Sequence, residues 1–232
     1  MKGSQVAGNR TSENLTLIAS DTQELSAYRV DPEGTPRGAI VVIQEIFGVN
    51  SHIKSVCDGF ARDGYVAIAP ALFDRQERNI ELGYSEADIA RGRELKATAD
   101  ATNALRDIDA ARRRVRDCGR VGVVGYCWGG YLSWLAAARL ERFSAAVVYY
   151  GGGIGEVLDE SPRCPVLGHF GARDHAIPLS AVEEWRRRYP DHPVHVYDAG
   201  HGFNCDQRAS FDAASAALAR ERTLEFFRQH VG

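Results

Sequence analysis

Three side chains in this sequence have the chemistry to break an acyl bond together: the thiol of Cys127, the carboxylate of Asp174 and the imidazole of His201. Cys127 is the centre of Gly125-Tyr126-Cys127-Trp128-Gly129, between an apolar run (Val121–Gly125) and a helix-like stretch (Gly130–Ala138). A chain that turns from strand to helix within one residue strains the backbone at the bend, and only flanking residues without side chains leave room for it. The helix then points its free N–H groups and positive dipole end at the thiol, which favours thiolate. A buried structural cysteine at a Gly-rich strand end is the competing possibility. The placement of the other two residues weighs against it. Asp174 follows the apolar run Pro165–Gly171, and His201 follows Pro193–Asp198. Nucleophile, acid and histidine thus come in that order, each just past the carboxyl end of a strand.

The elements needed to hold them alternate as a parallel sheet requires. Leu15–Ser20 and Leu25–Val30, split by Asp21–Glu24, read as an antiparallel hairpin at the sheet edge. Buried strands follow at Ala39–Ile43 and Tyr65–Pro70, with a helix from about Ser51 to Asp63 between them. A helix-rich stretch runs from about Ser85 to Arg116, followed by the elbow strand, its helix to about Leu140 and the strand Ala145–Tyr150. The Pro165 strand, a helix over Leu179–Tyr189, the Pro193 strand and a helix over Ala209–Gln229 complete the chain. This alternation implies right-handed crossovers and helices on both faces of the sheet.

Gly-x-nucleophile-x-Gly, followed by acid and then histidine, is the order of the α/β-hydrolase fold, a mostly parallel doubly wound α/β sheet. It differs from the orders of chymotrypsin and subtilisin. The strand ends concerned lie at the edge where open sheets bind ligands. Five segments also resemble the dienelactone hydrolase (carboxymethylenebutenolidase-like) family: Gln44–Gly48, Pro70–Arg75, Gly125–Gly130, Gly171–Asp174 and Gly200–Phe203. The likeness runs from about Asn14 to the C-terminus. Cysteine at the elbow together with Gln-Glu-Ile-Phe-Gly makes it specific, since most other α/β-hydrolases carry serine there.

Triad logic gives His201 the role of proton acceptor and later donor, with Asp174 fixing its tautomer. The oxyanion would meet the backbone N–H of Trp128, which follows the nucleophile, and that of Ile46, in the loop after the Ala39–Ile43 strand. The resemblance implies that Glu45 belongs to the active site, where its charge would act on the thiol; a carboxylate paired with an arginine for structure alone is the alternative. It also implies that Arg75 binds a substrate carboxylate with its fork, against the alternative of a surface charge. Tyr150, at a strand end before Gly151, is a candidate for lining the pocket. One departure stands out. The family's second arginine, four residues beyond the histidine, is replaced by Cys205, with Arg208 close by in sequence. This puts dienelactone itself in question as substrate, but not ester or lactone hydrolysis.

Composition narrows the remaining classes. The 232-residue chain suffices for one well-buried core, read as a single domain over residues 14–232 after a loose segment 1–13. A net charge of −3 and a pI near 6.2 supply no electrostatic reason for nucleic acid or an anionic membrane as partner. Arg112–Arg114 and Arg186–Arg188 read as solvated helix faces, with acids nearby. Five cysteines without regular spacing make no disulfide framework; Cys57, Cys118 and Cys164 read as buried thiols, and a reducing, cytoplasmic setting fits. No run reaches the roughly 18 apolar residues of a membrane span, and residues 1–10 lack the apolar core of a signal peptide. Gly151–Gly155 does not match a dinucleotide-binding fingerprint. His169, His192 and His195 lack zinc-ligand spacing, so no metal and no cofactor are expected. The segment between Tyr150 and Pro165 is too short for a lid, which suits a small soluble substrate.

The expected activity is therefore hydrolysis of small esters or lactones, possible carboxylate bearers among them, through a thioester on Cys127. A thioesterase or amide-cleaving enzyme on the same triad is the alternative within this fold. A non-catalytic binding module of the same fold is the alternative outside catalysis; the intact set Cys127, Asp174 and His201 argues against it. A redox role for Cys127 lacks a second cysteine at Cys-x-x-Cys spacing.

Overall fold

A computed structural model describes residues 11–232. Eight strands form one sheet in the order β1-β2-β4-β3-β5-β6-β7-β8. These are β1 (Thr11–Ile18), β2 (Glu24–Asp31), β3 (Ala39–Ile43), β4 (Val66–Pro70), β5 (Val121–Tyr126), β6 (Ala145–Tyr149), β7 (Val166–Gly171) and β8 (Val194–Tyr197). The β1–β2 and β2–β4 pairs are antiparallel and the other pairs parallel. The edge hairpin is as expected, but β1 begins at Thr11, so residues 11–13 join the sheet. The rest of the segment read as loose, residues 1–10, lies outside the described residues.

Strands β3 to β7 are buried along their whole length, which is why they read as continuous apolar runs. Six helices cover the two faces: α1 (Ser51–Arg62), α2 (Glu86–Thr98), α3 (Ala101–Val115), α4 (Trp128–Arg139), α5 (Leu179–Arg188) and α6 (Ala213–His230). α1 and α6 share a face, where Phe60 packs edge-on against Phe227 and Arg220 bonds Asp63. α4 and α5 meet on the other, with the Trp134 and Trp185 rings 4.5 Å apart.

Local chemistry sets the helix boundaries. Asn50 caps α1 by accepting the Ile53 N–H, and Ser85 and Asp88 form a capping box on α2. The expected long helical stretch divides at Ala99, which is extended, because Asp100 caps α3 through the Asn103 N–H. α6 starts at Ala213, later than the expected Ala209. Asp212 caps it by accepting the Ser215 N–H, and the residues before it form successive turns closed by Cys205, Arg208 and Phe211 N–H groups.

The sheet order places the site. From β3 the chain crosses one way to β4, while β5 lies on the other side of β3, so the loops leaving β3 and β5 diverge. That switch point is where an open α/β sheet forms its binding crevice. Ile43 pairs with Gly125, so Gln44–Gly48 emerges directly beside the elbow. Gly171 pairs with Tyr197 two strands further along, bringing the segment carrying Asp174 beside the one carrying His201.

Candidate active site

Cys127 has φ 55° and ψ −115°, in the positive-φ region that non-glycine residues rarely occupy. The turn is held at both ends: the Cys127 N–H donates to the Tyr149 carbonyl, and the Cys127 carbonyl accepts from Gly130. The flanking glycines are required by contact. A Cβ on Gly125 would lie 1.9 Å from the Gly129 carbonyl oxygen, and one on Gly129 would lie 2.5 Å from the Ile43 and Gln44 oxygens.

His201 Nε2 lies 3.1 Å from Cys127 Sγ, and His201 Nδ1 lies 2.7 Å from Asp174 Oδ2. The Asp174 side chain is fully buried, and its other oxygen accepts the Ala176 N–H at 2.8 Å, which fixes the carboxylate. Burial opposes a charge on His201, but the bond to Asp174 and the adjacent Cys127 outweigh it and push the imidazole up to about 10. Cys127, His201 and Asp174 thus stand in one hydrogen-bonded line, with the two imidazole nitrogens facing the sulfur and the carboxylate.

The two backbone N–H groups expected to meet an oxyanion are held by their surroundings. Trp128 is the first residue of α4, so its N–H has no intrahelical acceptor. Its ring stacks on Phe73 at 5.2 Å. The Gln44 amide donates to the Glu45 carbonyl at 3.3 Å and accepts the Leu72 N–H at 3.1 Å. Because a peptide is planar, anchoring the Glu45 carbonyl also fixes the direction of the Ile46 N–H. α2 braces the loop from outside through Gly92, where a Cβ would come within 2.3 Å of the Ile46 carbonyl oxygen.

Glu45 is 1% exposed and accepts a hydrogen bond from Arg208 Nη1 at 3.0 Å. Burial opposes the charge on Arg208, but Glu45 together with the nearby Tyr150, Cys127 and Cys205 holds the guanidinium firmly protonated. Arg208 also lies over the Phe47 ring, 5.7 Å from its centroid. Arg208, three residues beyond Cys205, thus places a guanidinium against Glu45. The apolar spacing that suggested a helix from Ala209 gave no hint of it, because the turns at Cys205–Phe211 orient Arg208 inward.

Arg75 departs from expectation. Its Nε and Nη2 grip both oxygens of Asp107 at 2.8 and 2.7 Å, and Nη1 and Nη2 bond Asp21 at 2.8 and 3.0 Å. Both partners raise its basicity further. Two carboxylates thus engage four of its five N–H donors. The loop arginine instead ties α3 to the β1–β2 turn.

Tyr150 is fully buried, at φ 36°, with its ring 5.2 Å from His201 and 5.3 Å from Phe203. Its hydroxyl has no hydrogen-bond partner, and burial with Glu45 nearby pushes its acidity well down. Between β6 and β7 the chain makes only the short turn Ile154–Glu156 and its flanks. Among the described residues no helix is long and apolar enough to cross a membrane. His169, considered above for metal, is instead buried in a polar network with Tyr197 and Thr223.

A mixed, largely parallel sheet with helices on both faces and a strained elbow beside an acid–histidine pair defines an α/β-hydrolase. The model of the Dienelactone hydrolase family matches residues 25–231, and the chain belongs to that family. It is 36% identical to an Escherichia coli K12 protein, a carboxymethylenebutenolidase by assignment, over 94% of this chain and 87% of that one. It is 33% identical to the carboxymethylenebutenolidase of Pseudomonas putida, over 92% and 95% of the two chains. Its fold superposes on a crystal structure from Klebsiella pneumoniae, assigned as a dienelactone hydrolase, with TM-score 0.83 and 33% identity over 96% of this chain and 100% of that one. The chain is accordingly a hydrolase.

Proposed function

We propose that this hydrolase cleaves small esters or lactones through a thioester on Cys127, and that substrates bearing a carboxylate are preferred. The Cys127–His201–Asp174 line, with contacts of 3.1 and 2.7 Å, carries the reading. Sγ attacks the acyl carbon while the oxyanion is met by Trp128 and Ile46 N–H groups, each worth about 3 kcal/mol in such sites. His201 then gives its Nε2 proton to the leaving oxygen. In the second half it takes a proton from water, which attacks the thioester and frees the acid. His201, made more basic by Asp174 and the adjacent sulfur, is placed at 3.1 Å to take the thiol proton during attack and to return it to the leaving oxygen.

The carboxylate preference rests on Arg208. It is the guanidinium beside the thiol, and Glu45 both balances and orients it. Tyr150 packs its ring against His201 and keeps a buried hydroxyl without a partner beside the site. The family's named reaction, on carboxymethylenebutenolide, fits this carboxylate chemistry with Arg208 standing in for the residue at Cys205.

A lactone opened by the enzyme stays attached as a linear thioester until water arrives. Mixing the protein with an aryl ester and quenching early should therefore give intact mass shifted by the acyl group, mapped to Cys127. Cys127→Ala and His201→Ala should fold and lose on the order of 10³-fold or more of turnover. An acyl group found elsewhere, or near-wild-type turnover in pure Cys127→Ala, would remove the assignment.

A further inference from the structure

Beside the catalytic line lies a second group of side chains, of which only Glu45 has a part in the proposed hydrolysis, through Arg208. One carboxylate oxygen of Glu45, one ring nitrogen of His52 and the sulfur of Cys205 all lie within 4.8 Å of one another. They come from the loop after β3, the first turn of α1 and the turn after His201, and they are 1%, 3% and 0% exposed. His52 Nδ1 faces Asp206 Oδ1 at 3.3 Å, while its buried Nε2 has no hydrogen-bond partner. A metal-bound histidine usually donates its other ring N–H to a carboxylate, which fixes the tautomer and aims the free lone pair. Asp206 is placed to accept from Nδ1–H, the tautomer that leaves the lone pair on the buried Nε2.

We infer that Glu45, His52 and Cys205 form a binding site for Zn2+ and that its occupation shuts off hydrolysis. The donor set of one thiolate, one imidazole and one carboxylate, with a fourth position for water, is of the kind zinc accepts. Bonds of about 2.0 to 2.3 Å from a tetrahedral ion place its ligands roughly 3.3–3.7 Å apart. The three side chains need close only by about an ångström from their outer separation. A cavity of about 490 Å³ between α1 and α6, lined in part by His52, Tyr126, Asn204 and Asp206, reaches His52 from solvent. On binding, the Cys205 thiol proton passes to water and the sulfur becomes a ligand. Coordination draws Glu45 away from Arg208 and rotates the peptide carrying the Ile46 N–H. The inhibitory half rests on the proposed roles of Arg208 and Ile46; the binding half does not.

Metal-free protein titrated with Co2+, which adopts zinc geometry and is coloured, provides the test. One ion per chain should bind with a thiolate-to-cobalt charge-transfer band, and Zn2+ should displace it. The band should persist in Cys127→Ala and vanish in Cys205→Ser and His52→Gln. Asp206→Asn should weaken binding by about tenfold or more, as loss of a supporting carboxylate does elsewhere. Saturating Zn2+ should lower ester turnover about tenfold or more in the wild type and less than about twofold in Cys205→Ser, the margin a displaced supporting ligand predicts. No band in the wild type, or a band that follows Cys127 rather than Cys205, would overturn the site. A Cys205-dependent band with turnover unmoved by Zn2+ would overturn the inhibition. The thioester reading fails separately, by the acyl-enzyme mapping and the Cys127→Ala turnover described above.

Discussion

Arg75→Ala separates a structural arginine from a substrate-binding one. Its partner Asp107 has a fully buried side chain, gripped at 2.7 and 2.8 Å, and the Arg75 side chain is 13% exposed. Burial raises the Asp107 carboxyl above its usual range and Arg75 draws it back. Removing one member of a buried ion pair costs about 3–5 kcal/mol. The lower end, about 3 kcal/mol, applies here because the stranded carboxylate can take up a proton. For a chain of this size that is a fall in Tm of about 6–12 °C. Because a carboxyl raised further in the folded variant becomes neutral as pH falls, the deficit should shrink between about pH 7 and pH 5. Arg75→Met combined with Asp107→Leu should regain most of the loss, since apolar replacements of a buried pair are commonly neutral or better. Thermal unfolding by calorimetry reads these shifts. Turnover at 20 °C should differ less than about twofold from wild type on neutral and carboxylate-bearing esters alike, because no transition-state contact is removed. An unchanged Tm with a loss confined to the carboxylate-bearing ester would refute the structural role and return Arg75 to the pocket.

Three further outcomes follow from the same geometry. Gly92→Ala, which drives a methyl group against the Ile46 carbonyl, should stay folded and lower kcat about 10²-fold, the effect of one displaced oxyanion donor; wild-type kcat would show that α2 does not position that loop. His201, raised from 6.5 to about 10, contributes stability that is complete below its unfolded value and lost as pH rises through about 10. The stability gap between wild type and His201→Gln, measured by urea unfolding, should therefore narrow from pH 8 upward, and a constant gap would exclude the imidazolium pair. Glu45→Gln leaves Arg208 uncompensated near the thiol, so iodoacetamide should alkylate Cys127 faster near pH 6 while ester turnover falls; overlapping profiles would reduce Glu45 to a partner of Arg208.

The parts of the site that depend on local backbone chemistry were legible in the chain itself. An elbow needs glycines at Gly125 and Gly129, a buried parallel strand needs an apolar run, and a triad residue must sit just past such a run. These demands act over a few residues, so they leave a local mark. The alternation of runs then limits the fold to a doubly wound sheet. Strand limits moved by one or two residues except at β1, which begins four residues earlier than expected, and the break at Ala99–Asp100 went unseen because the apolar spacing continues through it.

Partnerships between distant residues left no such mark. Arg75 and Arg208 carry the same side chain, and each stands in a loop near a matched motif. Which one meets Glu45 and which one meets Asp107 was decided by the packing of α3 against the edge hairpin and by the turns before α6. The nearness of Glu45, His52 and Cys205 likewise has no spacing to announce it, since the three come from separate loops gathered by strand pairing. Sequence alone determined the elbow, the places of Cys127, Asp174 and His201 at strand ends, and the sheet that carries them, because each is set by its immediate neighbours along the chain. Only the tertiary structure decided where the charges around them are spent, because a buried charge takes its partner from whatever the fold brings within about 3 Å.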